Sequence, residues 1–248
     1  ANVPIIFVTG KAGTGKSTFI HYLRNTLSKR VVVLAPTGVA ALNVQGATIN
    51  SFFRLPPRVI SSEDIQKVED RKLYTHLDVL ILDEVSMIRA DVVDAIDLFL
   101  RMNGKHNDIP FGGTQVVMVG DLLQLPPVVA TKEEATLFSR RYTSPFFFSA
   151  KVLNDQIIAP IELERVFRQQ DPAFVSILNR VRLGDSSNDV LSAINCRFAS
   201  PSPSVSPIVL TPTNALADRI NIAEMNELTG NVREYEGEIN GKLNMEED

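Results

Sequence analysis

Only one cysteine occurs among the 248 residues, so no internal disulfide can form and the chain suits a reducing compartment. That residue, Cys196, is expected to be a small buried hydrophobe. Apolar runs stay short: none approaches the ~20 residues needed to cross a bilayer, which argues against a membrane protein. The opening residues, Ala1-Asn-Val-Pro4, lack the charged start and cleavage site of a signal peptide. An intracellular protein is therefore expected, cytoplasmic in a bacterium and nuclear or mitochondrial in a eukaryote. An excess of positive charge is missing too. The net charge is −4, whereas nucleic-acid-binding domains are often basic. Its distribution removes that objection: from Asp218 onward there are nine acids and three bases, leaving −6 there and +2 over residues 1–217. Charge thus permits phosphate contacts without demonstrating them.

What is present is the punctuation of an α/β protein. Short Val- and Ile-rich runs, Ile5–Val8, Val31–Leu34, Val79–Leu82, Gln115–Val119 and Ile208–Leu210, are each followed by Gly, Pro, Asp or Thr. Their near-continuous hydrophobicity predicts strands covered on both faces, as in a parallel sheet. Between them, helical spacing is expected over Ser17–Leu27 (Phe19, Ile20, Leu23 and Leu27 on one face), Asp91–Arg101 and Pro172–Leu183. The last begins with Asp171 as N-cap and Pro172 at the first helical position. The repetition predicts a doubly wound sheet with ligands at the carboxyl ends of its strands. Phe146-Phe-Phe148 reads as a buried strand. A Ser/Pro run, residues 199–207, reads as a linker, giving a first domain over 1–199, a linker over 200–207 and a curtailed second domain over 208–248, with a helix at Ala215–Leu228.

The chemistry begins with Gly10-Lys-Ala-Gly-Thr-Gly-Lys-Ser17, a G-x-x-x-x-G-K-S loop between a strand and a helix. Gly10, Ala12, Gly13, Thr14, Gly15, Lys16, Ser17 and Thr18 are expected to hold a nucleotide. Their amides and the helix N-terminus cradle phosphates, Lys16 reaches the β- and γ-phosphates, and Ser17 ligates Mg²⁺. In the absence of nucleotide Lys16 is expected to face solvent. The strand Val79–Leu82 runs into Asp83 and Glu84. Asp83 is assigned to the metal and Glu84 to the attacking water, both serving one site only if the chain turns there. Gln124, past the strand ending at Gly120-Asp121, is either a γ-phosphate contact or a loop amide. Arg168 is either an arginine finger or a salt-bridge partner.

Taken in order, these blocks resemble the PIF-type (petite integration frequency) DNA helicases of superfamily 1B, relatives of RecD. The matching residues are Gly10–Thr18, Ala35–Ala41, Gly46–Phe53, Asp83–Met87, Gly113–Val128, Leu163–Gln169 and Leu210–Asn214. The Gly-Asp-Leu-Leu-Gln-Leu-Pro-Pro and Val-Phe-Arg-Gln blocks are more specific than the phosphate loop. The resemblance implies a RecA-like P-loop NTPase domain with a mostly parallel sheet, followed by the start of a second RecA-like domain. It implies an ATP- and Mg²⁺-dependent monomeric motor moving 5′ to 3′ on single-stranded DNA. Such a motor unwinds forked duplex or quadruplex DNA, in repair, recombination or telomere maintenance. Lys16, Glu84, Gln124 and Arg168 become the catalytic set, and Pro36, Thr37, Gly38, Thr48, Asn50 and Phe52 the DNA contacts. Asn50 stands where many relatives have histidine. Residues 54–72, with five bases and four acids, fit either a small wedge insertion or a solvated loop. The adenine-reading glutamine motif and the later helicase motifs are not found in these residues, so by themselves they are expected to hydrolyse and unwind weakly or not at all. Other readings remain: a non-helicase P-loop NTPase such as a small-molecule kinase, an exonuclease- or relaxase-associated motor subunit, and a passive DNA-binding module.

Overall fold

The computed structural model describes residues 5–196, 208–230, 233 and 235. The chain divides after Cys196 into two compact units. The first contains the strands β1 (Ile5–Gly10), β2 (Val31–Ala35), β3 (Ala47–Thr48), β4 (Val79–Leu82), β5 (Gln115–Gly120) and β6 (Ile158–Leu163). Its helices are α1 (Lys16–Thr26), α2 (Gly38–Asn43), α3 (Ile49–Phe53), α4 (Lys72–Thr75), α5 (Ala90–Asn103), α6 (Lys132–Ser139), α7 (Pro172–Arg182) and α8 (Asn188–Asn195). The six strands form one parallel sheet in the order β3-β2-β4-β5-β1-β6. The RecA-like α/β architecture is as expected.

The continuous apolar strands have a simple cause. Successive side chains point to opposite faces, and here both faces are covered. Leu80, Leu82, Val116 and Met118 enter one core with Val93, Ile96 and Phe99 of α5, whereas Val79, Ile81, Val117 and Val119 join Val8 and Ile20 of α1 on the other. Every residue of β4 is buried. Phe19, Leu23 and Leu27 pack on the α1 side, as their spacing predicts. Asp171 caps α7, accepting from the amides of Ala173 at 2.9 Å and Phe174 at 3.2 Å.

Residues 54–72 lie on the domain surface with Leu55, Ile60, Ile65 and Val68 buried. Their backbone is fastened to α5: Ile60 donates to Asp91 Oδ2 at 2.8 Å and Val68 to Asn103 Oδ1 at 2.9 Å. A buried amide needs a partner, and two polar side chains of α5 supply it.

Three local expectations fail. Phe146-Phe-Phe148 is not a buried strand: Phe146 makes a single antiparallel bridge to Arg89, Phe147 opens a 3₁₀ turn, and Phe148 is 49% exposed. Only Phe147 is core; Phe146 and Phe148 stack on each other at 5.3 Å. Cys196 is exposed, its thiol donating to the Ala193 carbonyl at 3.1 Å, because α8 buries only Val190 completely. In the second unit Ile208–Leu210 forms no strand among the described residues, and Ile208 and Leu210 are 92% and 93% exposed. A strand needs a hydrogen-bonded neighbour, which apolar composition alone does not provide. The helix α9 (Asn214–Glu227) forms as expected. The Ser/Pro linker and most of the acidic stretch from Glu234 lie outside the described residues.

Candidate functional site: a phosphate loop at the strand ends

β1 delivers the chain to Gly10 and the loop then turns into α1. Gly13 and Gly15 have φ of +79° and +93°, values that glycine adopts without steric cost. Gly15 occupies the N-cap position of α1 with no side chain capping the first turn, and no acid lies in that turn. The free amides and helix dipole are therefore available to an anion. Thr14 hydroxyl donates to the Lys11 carbonyl at 2.9 Å and holds the loop round.

Lys16 is half-buried at the wall of an open cavity rather than fully solvated. Its ammonium donates to the carbonyls of Gly10 at 2.8 Å and Lys11 at 3.1 Å, bridging the loop it serves. Burial draws its pKa down, opposed by the carboxylates of Asp121, Glu84 and Asp83. Asp83, 5% exposed at the end of β4, has its carboxyl pushed up to about 6, first by burial and further by the negative charge of Glu84. The turn required after β4 is present: Glu84 adopts φ +48°, ψ +44°, so its side chain leaves the strand's alternation and joins the loop's side.

One cavity of ≈330 Å³ is lined by Ala12, Gly13, Gly15, Lys16, Ser17, Thr18, Glu84, Gln124, Phe167 and Arg168. The phosphate loop and three distant sequence blocks meet there. The segment carrying Arg168 is joined to the loop by the Phe167 amide, which donates to the Gly13 carbonyl at 2.8 Å. Arg168 forms no salt bridge among the described residues, the second of its two sequence readings. Gln124 donates from Nε2 to Asp121 Oδ2 at 3.2 Å. Asp121, 1% exposed, is gripped by Arg182 through two bonds, Nη2 to Oδ1 at 2.7 Å and Nε to Oδ2 at 3.1 Å. Burial opposes ionisation of Asp121, but the Arg182 guanidinium and the Leu123 amide prevail and hold its carboxyl below the usual range. Sequence reasoning did not single out Asp121, Phe167 or Arg182. The aspartate that directly follows each of β4 and β5 is a signal for Asp121; Arg182, 61 residues away in sequence, has none.

The second residue set is only partly gathered. Pro36, Thr37 and Asn50 line a groove of ≈320 Å³ with Pro56, Arg58 and Arg89. Thr37 and Thr48 hydroxyls cap short helices, accepting from the amides of Ala40 at 3.3 Å and Ser51 at 3.2 Å. Asn50 Nδ2 donates to the carbonyls of Leu55 at 3.3 Å and Pro56 at 3.4 Å, which fixes the groove's lip. Gly38 is exposed at the start of α2. Phe52 does not line the groove: it is half-buried in an aromatic cluster, edge-on to Phe53 at 4.9 Å and to Tyr74 at 5.4 Å.

The chain that carries this site is similar to known proteins. The family model described as PIF1-like helicase matches residues 1–190. The chain belongs to the PIF1-like helicase family. It is 36% identical over 254 aligned residues to the ATP-dependent DNA helicase PIF1 of Emericella nidulans, covering 96% of this chain and 33% of that protein. Against the human ATP-dependent DNA helicase PIF1 it is 32% identical, covering 93% and 36%. Among solved structures, Bacteroides Pif1 in complex with ADP-AlF3 and single-stranded DNA superposes with a TM-score of 0.81 at 36% identity, covering 92% of this chain and 54% of that one. The Candida albicans Pif1 helicase gives 0.74 at 30%, covering 92% and 52%. The chain thus spans about a third of the length of the curated PIF1 relatives and about half that of the crystallised chains. Among the described residues no helix is long and apolar enough to cross a membrane.

Proposed function

We propose that this chain carries the nucleotide-hydrolysing half of an ATP-dependent DNA helicase that moves 5′ to 3′ on single-stranded DNA. The observation that carries the reading is the shared cavity: Lys16, Glu84, Gln124 and Arg168, drawn from four separated blocks, converge on the phosphate loop. Loop amides and Lys16 bind the phosphates of ATP. To reach them Lys16 exchanges two carbonyl acceptors for phosphate oxygens. Ser17 and Asp83 offer one hydroxyl and one carboxylate to Mg²⁺, a donor set that suits an ion completing its shell with water and phosphate oxygens. Bound there, Mg²⁺ neutralises charge developing on the phosphates. The Glu84 carboxylate accepts the proton of the attacking water, Gln124 orients that water against the γ-phosphate, and Arg168 stabilises the equatorial oxygens.

On the same reading Pro36, Thr37, Gly38, Thr48, Asn50 and Phe52 contact single-stranded DNA. The Bacteroides protein was crystallised with single-stranded DNA, and a related structure is described as unwinding forked duplex with two coordinating Pif1 helicases. Residues 54–72 serve as the wedge, residues 200–207 as the linker, and 208–248 as the start of a second RecA-like domain. Forked duplex and quadruplex are the substrates, the motor is a monomer, and it works inside the cell. Measuring phosphate release by the full-length protein against increasing single-stranded DNA tests this. Stimulation by DNA is expected; DNA-independent turnover would favour a non-helicase NTPase.

A further inference from the structure

We propose that Arg182 is a positioning residue for the γ-phosphate, acting through Asp121 on Gln124. The inference rests on the reading of Gln124 as a γ-phosphate contact. Asp121 Oδ1 accepts from Arg182 Nη2 at 2.7 Å and from the Leu123 amide at 3.1 Å. Its Oδ2 accepts from Arg182 Nε at 3.1 Å and Gln124 Nε2 at 3.2 Å. Both oxygens of a carboxylate that is 1% exposed are thus engaged.

An ionised carboxylate only accepts hydrogen bonds. It therefore fixes which end of the Gln124 amide turns toward it: the nitrogen faces Asp121 and the carbonyl oxygen is left for another donor. Gln124 lines the phosphate cavity, and a free carbonyl oxygen is the group that can accept from an attacking water. Without Arg182, Asp121 is a buried carboxylate lacking its counter-charge. Arg182 therefore supplies the counter-charge that keeps Asp121 ionised and the Gln124 amide turned nitrogen-first toward it.

The same fork secures what precedes it in sequence. Arg182 ends α7, and α7 buries no side chain completely. In the same last turn Arg180 staples the turn into α8, bonding Asp185 at 2.7 Å and Asp189. The stretch bearing Arg168 runs between the Phe167–Gly13 bond and α7, so the Asp121–Arg182 pair anchors the element that follows it.

The test is nucleotide affinity of the full-length protein with Mg²⁺, comparing a non-hydrolysable ATP analogue with ADP. Wild type should prefer the triphosphate. Arg182→Met should cut that preference at least fivefold while changing ADP affinity less than twofold. Gln124→Ala should do the same, and the double substitution no more than either alone, as expected for groups acting as one unit. Arg182→Lys, which keeps the charge but not the two-pronged geometry, should fall between and reads the same ratio if Arg182→Met does not fold. A preference lost in Gln124→Ala but kept in both Arg182 variants overturns the relay alone. A preference kept in Gln124→Ala overturns the γ-phosphate reading and the relay with it.

Discussion

The amide of Phe167 donates to the carbonyl of Gly13 at 2.8 Å, so the tip of the phosphate loop and the segment carrying Arg168 are one structural unit. Gly13 holds φ +79°, and a Cβ built on it would stand 2.5 Å from the Cβ of Arg168. Gly13→Ala must therefore bear backbone strain and push Arg168 away. The expected result is a loss of stability of about 1–3 kcal/mol together with turnover reduced at least tenfold. Urea unfolding and steady-state phosphate release check it; wild-type turnover would mean that the contact does not matter to the site.

Asp83 predicts an exchange of stability for function. Its carboxyl is pushed up to about 6 by burial and by Glu84, so near neutral pH its charge is carried at a cost to folding. The folded-state pKa lies above the unfolded one, so this cost is small below about pH 4 and complete above about pH 6. Asp83→Asn should raise the Tm of the protein without nucleotide and metal at neutral pH. The same substitution should remove most of the thermal stabilisation given by Mg²⁺ with nucleotide. A lower Tm without ligand would show that the ionised carboxylate is better paired than its burial indicates.

Residues 54–72 carry their own pH signature. Asp64 is held down to about 2, chiefly by the Arg58 guanidinium and then by the Ser61 amide. Its folded-state pKa lies below the unfolded one, so its contribution is present above about pH 4 and is lost as pH falls through about 2. Arg58 is 52% exposed, which discounts the pair for solvent screening. Asp64→Asn should cost about 1 kcal/mol at neutral pH, a difference that disappears near pH 2. Urea unfolding at both values reads it; an equal difference at both would place the effect outside the charge.

The features legible in the sequence were those carried by local pattern. The phosphate loop, the ends of β4 and β5 and the faces of α1 and α5 are set by residues close in the chain, and each lies where its spacing puts it. Phe146–Phe148 and Ile208–Leu210 were misread because apolar composition does not specify a hydrogen-bonded neighbour. Lys16 was expected in solvent because its acceptors, Gly10 and Lys11 carbonyls, appear only once the loop closes. Arg182 was invisible for a related reason: a charge in the last turn of a helix reads as a solvated end, and only the fold brings Asp121 to it. Arg168 is the converse case. Its block was conspicuous in sequence, and the structure adds the contact that joins it to Gly13.

The most direct test of the account is the separation of nucleotide binding from turnover in Glu84→Gln of the full-length protein, with single-stranded DNA present. Glu84 lines the cavity without holding the loop together. ATP affinity should stay within about threefold of wild type while phosphate release falls on the order of a hundredfold, the usual weight of a general base. Phosphate release near the wild-type rate would contradict the assignment of Glu84, and with it the claim that this cavity hydrolyses ATP.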